Sequence, residues 1–286
     1  MKIRDTGFDF AKKTYVMGIL NVTPDSFSDG GLHNSTDAAV EHALDMIKDG
    51  ADIIDIGGES TRPGYSSVPA DVELDRVIPV IEALRRRSDI PISIDTTKAE
   101  VAAAAILAGA DIINTVEGLD ISEDMIKVAR DSGAFIVMTY ENCYVNQFGE
   151  ALIGMAETAV EAGISPDRII VDPGIGFGKT KEENLRILNE LPIITQVGYP
   201  VLLGCSRKSV IGYFTGRDEN GSQNGPQSGP QSGSERRPEI AKERLPGTLV
   251  TTVLAGLAGV GIVRVHDVKE NLQALRIAEE ITNGGL

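Results

Sequence analysis

The sequence predicts an α/β fold, a single (β/α)8 TIM barrel of eight parallel strands alternating with helices. Three observations carry that reading. Eight short Ile- and Val-rich runs recur at fairly even intervals, amphipathic segments lie between them, and polar clusters fall just after the runs.

The runs are residues 15–20, 53–56, 91–94, 111–116, 135–138, 169–171, 200–203 and 262–265. They are continuous rather than alternating, as strands covered on both faces are. Eight of them alternating with helices in about 250 residues favour a closed barrel over an open doubly wound sheet.

The intervening segments have helical spacing. Residues 38–48 carry apolar side chains at 40, 43, 44, 46 and 47, and residues 72–87 carry them at 74, 77, 78, 81 and 84. Residues 100–108 form an Ala-rich run ended by Gly109. Gly-Ala-Asp followed by Ile-Ile occurs at 50–54 and again at 109–113, which reads as a helix C-cap leading into a strand. Residues 1–14 precede the first strand and are expected to plug the barrel's lower end. The apolar stretch 249–263 is too short and Gly-rich to span a bilayer, and reads as a buried helix followed by a strand. Residues 218–234, DENGSQNGPQSGPQSGS, hold no apolar residue and read as a flexible insertion within one domain spanning 1–286.

Of 286 residues, 27 are basic and 42 acidic, giving a net charge of -15. That balance argues against nonspecific binding to nucleic acid or anionic membranes, and an anionic small substrate would need a local basic pocket. Two cysteines, Cys143 and Cys205, make neither a disulfide framework nor a zinc pattern, as expected of reduced thiols. The N-terminus shows no export signal, so the expected location is cytoplasmic.

In this fold chemistry gathers at the C-terminal strand ends. There the chain places Asn21 after strand one, Asp95 after strand three, Asn114 after strand four and Asp172 after strand six. Gly204, Ser206, Lys208 and Ser209 follow strand seven, and Arg264 and His266 end strand eight. Spacing of two puts Arg264 and His266 on one face, and Gly204 and Ser206 likewise. Asp95, Asn114 and Asp172 offer acceptors suited to the N–H edge of an amino-pyrimidinone ring. Arg62, Lys208, Arg264, His266 and Asn21 suit a pyrophosphate. Taken singly, each residue has a plainer reading: Asp95 as a helix cap, Asp172 as a turn, Phe177 as core, Arg264 as a partner of Asp267. Their coincidence on one rim is what favours a site.

The segments NVTPDSFSDGG (21–31), DIGGESTRPG (55–64), IDTTK (94–98), DPGIGFGK (172–179), SRKS (206–209), RLPGT (244–248) and RVHD (264–267) together resemble those of the dihydropteroate synthase family of pterin-binding enzymes. The resemblance implies condensation of 6-hydroxymethyl-7,8-dihydropterin pyrophosphate with p-aminobenzoate, giving 7,8-dihydropteroate and pyrophosphate. It implies pterin contacts from Asp95, Asn114, Asp172, Gly204 and Lys208, with Asp95, Lys208, Arg264 and His266 as the catalytic set. It implies a pyrophosphate site of Asn21, Arg62, Arg264 and His266, with Asn21 also a ligand of Mg2+. Phe27, Pro63, Phe177 and Ser209 match the p-aminobenzoate neighbourhood, Asp29 lies in a mobile first loop, and a homodimer is expected. The chain departs from the pattern at Thr115, where Asp is usual, and at residues 138–143. Those departures keep in view a pterin-binding paralogue without synthase activity. A second alternative is a methyltetrahydrofolate–corrinoid methyltransferase, which would share the Asp/Asn pocket but not need Arg62, Arg264 and His266.

Overall fold

Apolar side chains on both faces of a strand must be covered twice, and the chain does this by closing its strands into a ring inside a layer of helices. The computed structural model describes residues 1–23, 31–59, 67–142, 147–215 and 243–283. A short antiparallel hairpin, β1 (Lys2–Ile3) and β2 (Thr6–Gly7), comes first. The barrel strands follow as β3 (Tyr15–Asn21), β4 (Ile53–Gly57), β5 (Ile92–Asp95), β6 (Ile112–Thr115), β7 (Phe135–Thr139), β8 (Ile169–Asp172), β9 (Leu202–Leu203) and β10 (Ile262–Val265). All eight pair in parallel in the order β8-β7-β6-β5-β4-β3-β10-β9, and a bridge between Val171 and Val201 joins the two ends.

The helices are α1 (Gly31–Lys48), α2 (Ala70–Arg85), α3 (Ala99–Ala108), α4 (Glu123–Ser132), α5 (Phe148–Glu161), α6 (Lys181–Ile194), α7 (Ser209–Thr215), α8 (Leu245–Leu257) and α9 (Val268–Asn283). Their ends obey local chemistry. Ser122 caps α4 by accepting from the Met125 N–H, and Thr180 and Glu183 form a reciprocal capping box on α6. Gly109 ends α3 in the left-handed conformation. Both Gly-Ala-Asp repeats do the same job: Asp52 accepts the Val16 N–H at 2.9 Å, and Asp111 accepts the Ile92 N–H at 3.0 Å. Each helix exit is thereby tied to the start of a strand.

Two apolar clusters result. The larger lies between strands and helices. The smaller joins Ile3 and Phe8 of the N-terminal segment to Tyr15, Met17, Ile53, Ile112, Phe135, Val137, Ile170, Leu202 and Ile262. The first residues therefore close the barrel's lower end, as expected. The stretch 249–263 is a helix and a strand, but the helix is not buried throughout. Val250, Leu254 and Leu257 of α8 are 60%, 45% and 54% exposed. Its Gly and Thr positions face inward instead, with Thr248, Thr251 and Thr252 buried. Among the described residues, no helix is long and apolar enough to cross a membrane. The 218–234 insertion lies outside the described residues.

Candidate functional site

The floor of the upper cavity is set by strand register. Asn21, Gly57, Asp95 and Asn114 are laterally paired across four neighbouring strands and form one row. Gly57 has no side chain in that row. A Cβ there would sit 3.7 Å from Asp95 Oδ2 and 3.8 Å from Asn21 Oδ1, so the glycine leaves space between two oxygen donors.

Across the barrel, Gly204 does the same on the opposite wall. A Cβ there would lie 3.8 Å from Asp172 Oδ2, 3.9 Å from Lys208 Nζ and 4.0 Å from Arg264 Cβ. The Asp172 carboxylate, the Lys208 ammonium and the stem of Arg264, from three parts of the chain, thus meet around a single point. Asp95, Asn114 and Asp172 are each less than 9% exposed.

Arg264 is the hub. Its Nε donates to Asp55 Oδ2 at 2.6 Å and its Nη2 to Asp95 Oδ2 at 2.5 Å. Asn114 Nδ2 donates to Asp55 Oδ2 at 3.2 Å. Asp55 lies in the middle of β4, fully buried, and is a site residue the sequence reading passed over. The signal was an acid inside the run Ile-Ile-Asp-Ile, which is tolerated in a core only when paired. Asp267 does not pair with Arg264. It takes Arg207 in a two-pronged ion pair, Nε to Oδ2 at 2.9 Å and Nη2 to Oδ1.

Asp172 is both turn and site residue. Its Oδ1 accepts the Gly174 N–H at 2.7 Å, leaving Oδ2 toward Gly204. Gly174, Gly176 and Gly178 all have positive φ, so this Gly-rich stretch is required by the turn. Lys208 Nζ donates to the Ile175 carbonyl at 2.5 Å and lies 4.2 Å from the centre of the Phe177 ring. His266 contacts Ser206: Oγ is 3.0 Å from Nδ1 and 3.1 Å from the His266 backbone N. Ser209 opens α7, half-buried. Asp95 caps no helix, since α3 starts after Lys98. Phe27, Asp29, Arg62 and Pro63 lie outside the described residues.

Electrostatics follow from burial. Burial, helped by Asp55 and Glu73 and opposed by Arg264, pushes the Asp95 carboxyl up to about 7. Burial also raises Asp172 and lowers Lys208, while the charge of each opposes the other's shift. Cys205 is buried beside Lys208 and its thiol is pushed up to about 12, so it is no nucleophile. Of the departures from the family pattern, Thr115 and residues 138–142 are described, and Cys143 lies outside the described residues. Thr115 is buried and its Oγ1 accepts the Glu117 N–H at 3.3 Å, and Tyr140 N–H donates to the Asp172 carbonyl at 2.8 Å.

Residues 17–266 match the pterin binding enzyme family. A dihydropteroate synthase of Clostridium beijerinckii is 44% identical over 98% of this chain and 99% of its own length. One of Bacillus subtilis is 44% identical over 99% and 93%. Among solved structures, a Clostridium difficile dihydropteroate synthase with pteroic acid superposes with a TM-score of 0.83 at 45% identity, covering 96% of this chain and 99% of that one. The Xanthomonas albilineans enzyme with 7,8-dihydropteroate gives 0.79 at 36% identity, covering 95% of each chain.

Proposed function

We take as premise that the chain belongs to the pterin-binding enzyme family, and infer that it works as a dihydropteroate synthase. It condenses 6-hydroxymethyl-7,8-dihydropterin pyrophosphate with p-aminobenzoate. The C–O bond to pyrophosphate breaks, the arylamine nitrogen forms the new C–N bond, and an arylamine proton is released to water. Relatives in this family are solved with 4-aminobenzoic acid and with 7,8-dihydropteroate, which are substrate and product of this reaction.

The observation that carries the reading is the ring of Asp172, Lys208 and Arg264 around Gly204, with Arg264 joined to Asp95. Asp172, Asp95 and Asn114 supply acceptors for a flat heterocycle's N–H edge, and Lys208 closes that pocket over Phe177. The carboxylates stabilise positive charge developing on the pterin methylene as pyrophosphate departs, and Arg264 and His266, with Arg62, receive the anion. Weakly basic surroundings suffice, because an arylamine attacks a cation without prior deprotonation. Ser209 and Phe177 are proposed to serve the p-aminobenzoate side, and Phe27, Pro63 and Asp29, which lie outside the described residues, are assigned there by the family pattern alone.

Asn21 Oδ1 faces the gap above Gly57, a hard oxygen donor of the kind that fits Mg2+ held chiefly by substrate phosphates. Bound there, Mg2+ would neutralise charge on the leaving group. The cytoplasm is the proposed location, where both thiols stay reduced. A homodimer is proposed through the exposed apolar residues of α8 together with Ile277 and Ile281 of α9.

The test is a coupled assay of pyrophosphate release from the pterin substrate. Release that depends on p-aminobenzoate and Mg2+ supports the reading. Tight pterin binding without release would make the protein a binding paralogue instead.

A further inference from the structure

His266 follows β10, and Ser206 follows β9, two strands whose register pairs Leu202 with Ile262 and Leu203 with Val263. Counting on by twos sets Ser206 beside His266. One oxygen, Ser206 Oγ, reaches both the backbone N–H of His266 at 3.1 Å and its ring Nδ1 at 3.0 Å.

The donors and acceptors can be counted. The backbone N–H can only donate, so Oγ accepts it. The serine hydroxyl carries one hydrogen, and among the described residues Nδ1 is the remaining group within its reach. Were Nδ1 protonated, two N–H groups would converge on one oxygen. The hydroxyl hydrogen would then lack an acceptor in a side chain only 6% exposed. Nδ1 therefore accepts, and the ring proton sits on Nε2.

The neighbouring residues hold this geometry in place. Arg207, next to Ser206, is clamped to Asp267, next to His266. Arg207 has a φ of 57°, a conformation that non-glycine residues rarely adopt. Its N–H donates to Thr248 Oγ1 at 3.1 Å and its carbonyl accepts from Arg244 at 3.0 Å. A strained residue tied at four points fixes Ser206 and Lys208 on either side of it.

We propose that Ser206 is a positioning residue that holds His266 as its neutral Nε2–H tautomer, so that the ring presents an N–H donor to the departing diphosphate. The proposal rests on the function inferred above, in which His266 serves the anion. Diphosphate oxygens accept hydrogen bonds, and the opposite tautomer would turn a ring lone pair toward them.

The chain has only three histidines, His33, His42 and His266. Long-range proton–nitrogen ring correlations on the 15N-labelled full chain, compared with His266→Gln, therefore isolate one ring. The expected pattern is Nε2–H, with and without Mg2+ and inorganic pyrophosphate. Ser206→Ala should mix the tautomers and lower kcat/KM for the pterin pyrophosphate about 10- to 100-fold. The KM for p-aminobenzoate should not change, and Ser206→Thr should restore both readouts. An Nδ1–H ring or an imidazolium in the unmodified protein at neutral pH overturns the proposal without needing any variant to fold. So does Ser206→Ala with an unchanged tautomer or unchanged kinetics. Failure of the unmodified chain to bind pyrophosphate or turn over, with the Nε2–H pattern intact, counts against the function while supporting the hold of Ser206 on the ring.

Discussion

Arg264 and Asp95, 169 residues apart in the chain, share a 2.5 Å hydrogen bond at the barrel's upper end. The same guanidinium holds Asp55, so the cation proposed for the leaving group also holds an acid proposed for the ring and the buried acid beside it. The two halves of the site are interlocked.

Arg264→Ala should accordingly hurt more than anion binding. It leaves Asp55 fully buried and Asp95 nearly so without their cation. Breaking a buried pair on one side costs about 3–5 kcal/mol. Denaturant melts should show that loss, and calorimetry should show weaker binding of both bare pterin and its pyrophosphate. A variant of unchanged stability that loses only pyrophosphate affinity would refute the interlock. Adding Asp55→Asn should recover part of the stability.

Asp95 makes the stability pH-dependent with a definite sign. Its folded carboxyl holds a proton up to about pH 7, whereas the ordinary value is 3.8. Across that window the folded state binds more protons than the unfolded one. Stability from this group is therefore highest at the acid end, falls as pH rises toward 7, and levels off above. Asp95→Asn removes that slope. Relative to the variant, the parent should lose ~1–4 kcal/mol between about pH 4 and pH 8. Parallel profiles for the two proteins would show that Asp95 titrates normally.

The barrel was legible in the sequence because each strand is buried on both faces and therefore reads as an unbroken apolar run. Most of these runs continue one residue further than hydrophobicity suggests, into Asn21, Gly57, Asp95, Thr139 and Asp172. Those added residues are polar or side-chain-free because they face the cavity. Asp95, Asn114, Asp172, Lys208, Arg264 and His266 were legible as a group by position. Their partners were not. Asp55 was hidden inside an apolar run, and Asp267 was the nearest acid to Arg264 in sequence. Three residues along an extended chain point to opposite faces, so that pairing was never available. The apolar surface of α8 reads as core because composition alone does not tell which face packs inward.

Asp172→Asn separates the turn from the pocket. An amide oxygen can still accept the Gly174 N–H, so the turn should survive. What is lost is the second carboxylate oxygen near Gly204, and with it the charge-assisted bond proposed to a ring N–H. Pterin affinity should fall about 10- to 100-fold, equivalent to ~1.5–3 kcal/mol, with little change in melting temperature. Unchanged affinity by titration calorimetry would remove Asp172 from the pocket.

Lys98 tests the wall behind Asp95. Its Nζ bonds Glu59 Oε2 at 2.5 Å and Glu73 Oε2 at 2.7 Å, and Glu59 in turn receives the Val68 N–H at 3.4 Å. Glu73 is fully buried, and its second oxygen has no hydrogen-bond partner. Lys98 is thus the cation bonded to both acids at the base of the second loop. Lys98→Met keeps the stem's packing and removes only the charge. It should destabilise the fold by about 3–5 kcal/mol, because Glu73 is then buried without a counter-charge. Glu73→Gln in the same chain should return a large part of that, since an amide needs no cation. If the double variant is no more stable than Lys98→Met alone in urea melts, buried charge is not what Lys98 compensates.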